Sequence, residues 1–315
     1  MSSMNSTPST PATPYTLADY KGLKPRWCSG CGDHAVLSSV LKVCQTEQLP
    51  PEQTVVVSGI GCSSRFPHYM STYGFHGLHG RAFPIACGVR SRRPDLHIFV
   101  ATGDGDCLSI GASHWLHAIR YNMKMTVILF DNNIYGLTKK QTSPTSAKGL
   151  ASNTHPEGNL IDPLDPLAVT LGITNVSFVA QTVDWLPGHL TDTLLAAHRH
   201  PGFSFVRVLQ RCPHFTADVF EGCRRDPTLL TLLVHPQGIP ADERTLEKLS
   251  NQVTHNPANL AEARALTQDT THYPVGLLYH NPNADRYDLS SAQGANLSTH
   301  ERIDVVQKEI DRFLI

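Results

Sequence analysis

Two short apolar runs set the frame of the chain. Leu96-His97-Ile98-Phe99-Val100-Ala101 and Thr126-Val127-Ile128-Leu129-Phe130-Asp131 have the length and the β-branched or aromatic content of buried parallel strands. Between them, Cys107 to Asn122 carries Leu108, Ile110, Trp115, Leu116 and Ile119, an apolar set with helical spacing. The pattern predicts a βαβ unit, whose right-handed crossover brings the carboxyl ends of both strands to one edge. Val55 to Gly59 predicts a further strand leading to Cys62. Ile173 to Ala180 and Phe203 to Leu209 predict two more around a helix from Gly188 to His200, and Asp33 to Cys44 predicts a helix near the start. The fold class is therefore α/β, a doubly wound, mostly parallel sheet, over residues 15–215.

The ends of the chain read differently. Residues 1–14 are rich in Ser, Thr and Pro and are expected to be a disordered tail. Lys139 to Gly158 is a loop long enough to be functional. Beyond Cys212 the strand–helix alternation fades, so 216–315 is expected to be an extension holding short helices at Arg244–Ser250 and Leu260–Leu266 and a polar loop at Asn281–Asn296. Its last helix is clearer: Ser298 and Glu301 form a capping-box pattern, and Ile303, Val306, Ile310 and Phe313 recur on one face. Packing on the core is the expectation for that face, with docking of a partner subunit as the sharper reading. No internal repeat is found.

Candidate chemistry sits at the predicted strand ends. Gly103-Asp104-Gly105-Asp106 follows the first run and Asp131-Asn132-Asn133-Ile134-Tyr135-Gly136 ends the second, so Asp104 and Asn132 should meet. A carboxylate, an amide oxygen and a backbone carbonyl two residues later suit Mg²⁺, which prefers hard oxygens completed by phosphate and water. The glycines allow close approach of backbone to phosphate. The competing reading is a surface turn. Four of the eight cysteines lie on three loops: Cys28 and Cys31 in Trp27-Cys28-Ser29-Gly30-Cys31-Gly32, Cys62 in Gly59-Ile60-Gly61-Cys62-Ser63-Ser64-Arg65, and Cys212 after the Phe203–Leu209 run. A Cys-x-x-Cys pair by itself leaves a thioredoxin-like redox pair, a zinc site and an iron–sulfur cluster open. Cys44, Cys87, Cys107 and Cys223 lie in or beside apolar stretches and read as buried small hydrophobes. His114 and His117 on the crossover helix read as packing or surface residues.

Together with Leu78-His79-Gly80-Arg81-Ala82 and the continuation Leu137-Thr138, these motifs resemble, over about residues 15–220, the β subunits of 2-oxoacid:ferredoxin oxidoreductases, most closely the 2-oxoglutarate type. The resemblance implies the diphosphate-binding half of a thiamine diphosphate fold. It implies a [4Fe–4S] cluster on Cys28, Cys31, Cys62 and Cys212, and Mg²⁺ on the Asp104 carboxylate, the Asn132 side chain and the Ile134 carbonyl; a shift by one residue would exchange Asn132 for Asn133. It implies a cofactor pocket from Gly61, Cys62, Ser63, Ser64, His79, Gly80, Arg81, Gly103, Asp104, Gly105, Asp106, Asn132, Ile134, Gly136, Leu137 and Thr138. Arg65, Leu137 and Lys139 are the expected substrate residues, with Arg65 and Lys139 able to bind a distal carboxylate. The implied reaction is oxidative decarboxylation of a 2-oxoacid with coenzyme A, electrons leaving through the cluster to ferredoxin. The glutamate that activates thiamine is expected in a partner α subunit, since 1–210 already uses one complete fold. Pyruvate and indolepyruvate oxidoreductases, a cluster-free thiamine decarboxylase or synthase, and a noncatalytic metal-binding scaffold are the alternatives.

Composition changes this picture little. A hydrophobic content of 40%, a charged content of 17% and a net charge of −1 describe a globular protein without a polyanion-binding surface, so nucleic acid is not indicated. No apolar stretch approaches the length of a membrane span, and the Ser/Thr/Pro-rich start has no signal-peptide core. A cytoplasmic location and free rather than disulfide-bonded cysteines are therefore expected.

Overall fold

The apolar runs become the centre of one large sheet. The computed structural model describes residues 13–290 and 298–313; residues 1–12 of the tail expected at 1–14, and residues 291–296 of the loop expected at 281–296, lie outside the described residues. Nine strands are found among the described residues: β1 (Thr54–Ser58), β2 (Tyr73–His76), β3 (His97–Gly103), β4 (Met125–Asp131), β5 (Phe178–Val183), β6 (Phe203–Leu209), β7 (Leu230–Val234), β8 (Gln252–Thr254) and β9 (Tyr273–His280). They lie in the order β2-β1-β3-β4-β6-β5-β9-β7-β8. The first six in that order are mutually parallel. β9 runs antiparallel to β5, and β7 and β8 run parallel to β9.

Alternation along the central strands sorts the core into two layers. Val55, Val57, Val100, Val127 and Phe205 face helices α2 (Ala82–Arg92), α4 (Ala112–Tyr121) and α5 (Pro166–Gly172). Val56, Phe99, Ile128 and Val206, one residue out of phase, face α1 (Asp33–Thr46) and α6 (Pro187–Arg199). The α/β architecture with helices on both faces is thus as expected from the pattern.

Three differences have physical causes. The single helix expected over Cys107–Asn122 is two, α3 (Asp104–Leu108) and α4, because the chain breaks at Gly111, whose backbone lies against Gly80 with no room for a side chain between them. The strand expected from Ile173 begins at Phe178, after α5. The expectation of no strand–helix alternation beyond Cys212 is corrected: β7, β8 and β9 alternate with helices Glu243–Lys248 and Leu260–Leu266 and extend the same sheet. Their signal was weak because β8 is three exposed residues and β9 contains Pro274 and a Gly276 at φ +130°. The terminal helix Thr299–Asp311 has both arms of its capping box, yet Ile303, Val306, Ile310 and Phe313 are exposed, so the expected packing on the core is not observed.

Asn122 joins the C-terminal segment to the sheet. It ends α4 in the left-handed conformation, φ 49°. Its Oδ1 accepts from Ser177 Oγ at 2.6 Å and from the Phe203 N–H at 2.8 Å, while Nδ2 donates to the carbonyls of Ala284 and Asp285. Replacing Asn122 by Ala leaves buried donors and acceptors unpaired, and a loss of about 2–4 kcal/mol in urea unfolding is expected. A change below about 0.5 kcal/mol would contradict this role.

His198 stacks on Phe99 at 5.2 Å between ring centroids, and burial, followed by the neighbouring His97, pushes it down to about 3. The unfolded histidine takes up a proton below about pH 6.5 that the folded one refuses, so its contribution to stability is full above that pH and falls as pH is lowered towards 3. Relative to wild type, His198→Gln should therefore gain about 1.4 kcal/mol per pH unit below about pH 6.5 and show a constant difference above it. A stability difference independent of pH between 7 and 5 would refute this.

Candidate active site

Four parallel strands end at one edge and deliver the predicted residues there. The loops after β1, β3, β4 and β6 carry Cys62, Asp104, Asn132 and Cys212 respectively. One cavity is lined by Gly61, Cys62, Ser63, His79, Gly103, Asp104, Gly105, Asp106, Asn132, Ile134, Gly136, Leu137 and Thr138. A second, of about 210 Å³, is lined by Cys28, Cys31, Cys62, Cys212, Arg65, Leu137 and Lys139. The two share Cys62, Asn132, Gly136 and Leu137. Ser64, Gly80 and Arg81 stand behind this lining. The Ser64 carbonyl accepts from Ser58 Oγ, the Gly80 N–H binds Asp106, and Arg81 Nη1 donates to the carbonyls of His79 and Ile110.

Asp104 is buried at the start of α3. Its Oδ2 accepts from Ser143 Oγ at 2.5 Å and Thr145 Oγ1 at 2.8 Å. Thr145 Oγ1 also lies 2.8 Å from Asp131 Oδ1, and a single hydroxyl proton cannot serve both carboxylates. Asp131 is neutralised by Arg207, whose Nε and Nη2 are each 2.7 Å from Oδ2. Among the described residues Asp104 has no such cation. Burial, and behind it the Asp131 charge, pushes its carboxyl above the usual range. A buried carboxylate lacking a counter-charge, facing a cavity beside the Asn132 amide, is the donor set a hard divalent cation satisfies.

Asn132 and Asn133 are held differently. Asn132 lines the cavity, whereas Asn133, at φ 59°, donates through Nδ2 to the Thr145 carbonyl and accepts from Ser146 Oγ on its own carbonyl. Asn132 is held by Gln210, which accepts from its Nδ2 at 2.7 Å, and its Oδ1 accepts from the Ile134 N–H at 3.3 Å.

Asp106 shapes the pocket through its carboxylate. Oδ1 accepts from the N–H groups of Ile60 and Gly80, and Oδ2 accepts from Thr102 Oγ1. His79 Nδ1 is 2.8 Å from Oδ1 but out of line for a hydrogen bond. Oδ1 thus ties the loops after β1 and β2 to the start of α3, and Oδ2 ties it to the end of β3. Two close approaches require glycine: a side chain at Gly59 would overlap the Asp106 carboxylate, and one at Gly105 would run into the Tyr135 ring, whose hydroxyl donates to the Gly105 carbonyl.

The four thiols around the second cavity are unpaired, and Cys28 is exposed. Burial, followed by Asp33, pushes the Cys31 thiol up; the same two causes push Cys62 up to about 12. Both are therefore poor thiolates until a cationic group draws them, which is what an iron or zinc centre does. Trp27 Nε1 donates to the Cys62 carbonyl at 2.7 Å, and Gln210 Nε2 lies 3.4 Å from Cys31 Sγ. His76 Nδ1 lies 2.7 Å from the Ser64 carbonyl, a structural contact, and His117 pairs with Arg120 on the surface.

Sequence reasoning did not assign Arg207, Gln210, Ser143 or Thr145 to the site. The long loop holding Ser143 and Thr145 was recognisable as functional, but no spacing reveals that it folds back onto Asp104.

Comparison with known proteins places this geometry. Residues 59–208 match the model of the thiamine pyrophosphate enzyme C-terminal TPP-binding domain. The chain is 35% identical over 272 residues to 2-oxoacid:ferredoxin oxidoreductase 1, subunit beta, of Aeropyrum pernix, covering 85% of this chain and 81% of that one. It is 46% identical over 201 residues to 2-oxoglutarate oxidoreductase subunit KorB of Mycobacterium tuberculosis, covering 64% of this chain and only 54% of that longer relative. Among solved structures, 2-oxoglutarate:ferredoxin oxidoreductase from Magnetococcus marinus, with 2-oxoglutarate, coenzyme A and succinyl-CoA bound, matches with a TM-score of 0.78 and 33% identity, covering 92% of this chain and 96% of that one. Strand ends that gather the diphosphate-type pocket and the cysteine loops, in a chain aligned along most of its length with such subunits, lead to one assignment: the chain belongs to the β subunits of the 2-oxoacid:ferredoxin oxidoreductase family.

Proposed function

We propose that the chain is the thiamine-binding subunit of an enzyme that oxidises a 2-oxoacid, preferentially 2-oxoglutarate. With coenzyme A it yields acyl-CoA and CO₂, and the two electrons released pass one at a time through a [4Fe–4S] cluster to ferredoxin. The observation that carries this reading is the shared wall of the two cavities: Cys62, Asn132, Gly136 and Leu137 border both the Asp104 pocket and the four-cysteine pocket. A decarboxylation centre and an electron acceptor in such contact favour oxidation over simple protonation.

Asp104, the Asn132 side chain and the Ile134 carbonyl would hold Mg²⁺ against the cofactor's diphosphate, the cation supplying the charge that Asp104 lacks. Thiamine diphosphate, when bound, supplies the nucleophilic carbon and the electron sink for decarboxylation. Gly61, Ser63, His79, Gly103, Gly105 and Thr138 would line its site, with Asp106, Ser64, Gly80 and Arg81 fixing the loops that shape it. Cys28, Cys31, Cys62 and Cys212 would hold the cluster. Arg65 and Lys139 would meet a distal carboxylate, and Leu137 would pack on the carbon chain between. Leu78 and Ile110, 74% and 55% exposed beside His79 and Arg81, are apolar surface suited to a partner α subunit that brings the activating glutamate. Among the described residues no helix is long and apolar enough to cross a membrane. A thiol-ligated cluster belongs in a reducing compartment such as the cytoplasm.

The direct test is anaerobic coexpression with the partner subunit and a scan of 2-oxoacids, with coenzyme A, for reduction of a viologen dye. The highest kcat/KM is expected with 2-oxoglutarate. Equal or better turnover of pyruvate or indolepyruvate would overturn the substrate assignment, and a colourless, dye-inactive complex would overturn the cluster. A second prediction separates the two cavities. Asp104→Ala should abolish Mg²⁺-dependent binding of thiamine diphosphate, followed by calorimetry, while leaving the visible absorption of the cluster intact; joint loss of both would make Asp104 a structural residue.

A further inference from the structure

One phenol fixes a cation that lines the four-cysteine cavity, Arg65. Tyr69 closes the short helical turn Ser63–Tyr69 and is 3% exposed. Its ring packs edge-on against Trp27, with centroids 4.7 Å apart, and Trp27 is itself anchored on the Cys62 carbonyl. Its oxygen accepts from Arg65 Nε at 2.9 Å and from the Arg26 N–H at 3.2 Å. Arg65 and Tyr69 are four residues apart in the same short helical segment, so the contact is local.

The consequence lies in the donors that remain. Guanidinium carries five N–H groups, and Tyr69 engages only the one on Nε. Among the described residues no acceptor is hydrogen-bonded to Nη1 or Nη2 of Arg65. Those terminal nitrogens form the edge that matches a carboxylate with two parallel hydrogen bonds. An untethered arginine would sample many rotamers and lose that entropy on binding. Among the described residues Lys139 has no equivalent anchor: it lies exposed in a loop at φ 71° and offers a point charge without fixed direction.

We infer that Tyr69 is a positioning residue for substrate selection, orienting the Arg65 guanidinium to receive the far carboxylate of a dicarboxylic 2-oxoacid. This rests on the reading of Arg65 as a substrate contact. A monocarboxylic 2-oxoacid has no group for that edge, so the Tyr69 oxygen matters to one substrate class and not to the other.

The test uses the complex with its partner subunit, viologen as acceptor, and both 2-oxoglutarate and pyruvate. Tyr69→Phe should raise the KM for 2-oxoglutarate roughly tenfold, the range for losing one hydrogen bond to a charged group, with kcat and the pyruvate KM within about twofold. In an Arg65→Ala background the same change should have no further effect, since the residue it orients is gone. Visible absorption of the cluster should be unaltered throughout. Equal losses for both substrates, a fall in kcat alone, or an undiminished effect in the Arg65→Ala background would show a merely structural role and overturn the inference. Should Tyr69→Phe fail to yield folded complex, Arg65→Lys decides: its ammonium cannot be oriented as a fork, so the 2-oxoglutarate KM should rise, and an unchanged KM overturns the inference. A wild-type enzyme that prefers pyruvate refutes the substrate reading itself, a failure visible before any variant is made.

Discussion

Asp104 and Asp131 lie buried on neighbouring strand ends with one threonine hydroxyl between them, and among the described residues only Asp131 has a cation, Arg207. Among the described residues two buried carboxylates share one counter-charge, a deficit that a proton or a bound cation on Asp104 relieves. Much of the surrounding structure follows from where that deficit faces. β3 and β4 pair in parallel register, Gly103 opposite Phe130, so Asp104 and Asp131 are forced to be near neighbours. The loop after β4 returns to give Ser143 and Thr145 to Asp104, and β6 gives Arg207 to Asp131 from the other side. What remains open is the cavity side of Asp104, where Asn132 and Ile134 also stand.

A second layer of support keeps this opening in register with the cysteines. Gln210 accepts from Asn132 and reaches Cys31 Sγ, so one side chain touches the walls of both cavities. Asp106 ties the loops after β1 and β2 to α3, and the β1 loop carries Cys62. A displacement of the Asp104 pocket would therefore be transmitted to the thiols. This coupling is mechanical, through hydrogen bonds and close backbone approaches. It accounts for glycine at positions 59 and 105, where a side chain would separate the parts.

The centre of the fold was legible because β1, β3, β4 and β6 are fully or almost fully buried strands whose apolar runs have no competing helical period. The C-terminal strands were not, because β9 gets its place from pairing with β5 across a register shift rather than from its own pattern. Helix α4 was legible as apolar spacing, but its separation from α3 depends on the contact between Gly80 and Gly111, distant in sequence, which no local pattern carries. In the site, Asp104, Asn132 and the four cysteines were readable since glycine and cysteine motifs mark strand ends. Thr145, Arg207, Gln210 and Tyr69 were not. Each is an ordinary residue whose role arises from the partner that folding places against it.

The central claim is that one sheet edge holds a hard cation at Asp104 and an iron–sulfur cluster across the shared wall. Anomalous diffraction from crystals of the complex, grown anaerobically with thiamine diphosphate and Mn²⁺ in place of Mg²⁺, measures both positions at once. The account predicts a manganese peak within bonding distance of the Asp104 carboxylate, the Asn132 side chain and the Ile134 carbonyl, and a separate multi-iron peak enclosed by Cys28, Cys31, Cys62 and Cys212. Manganese elsewhere, or a single zinc or no metal among the four sulfurs, would contradict it.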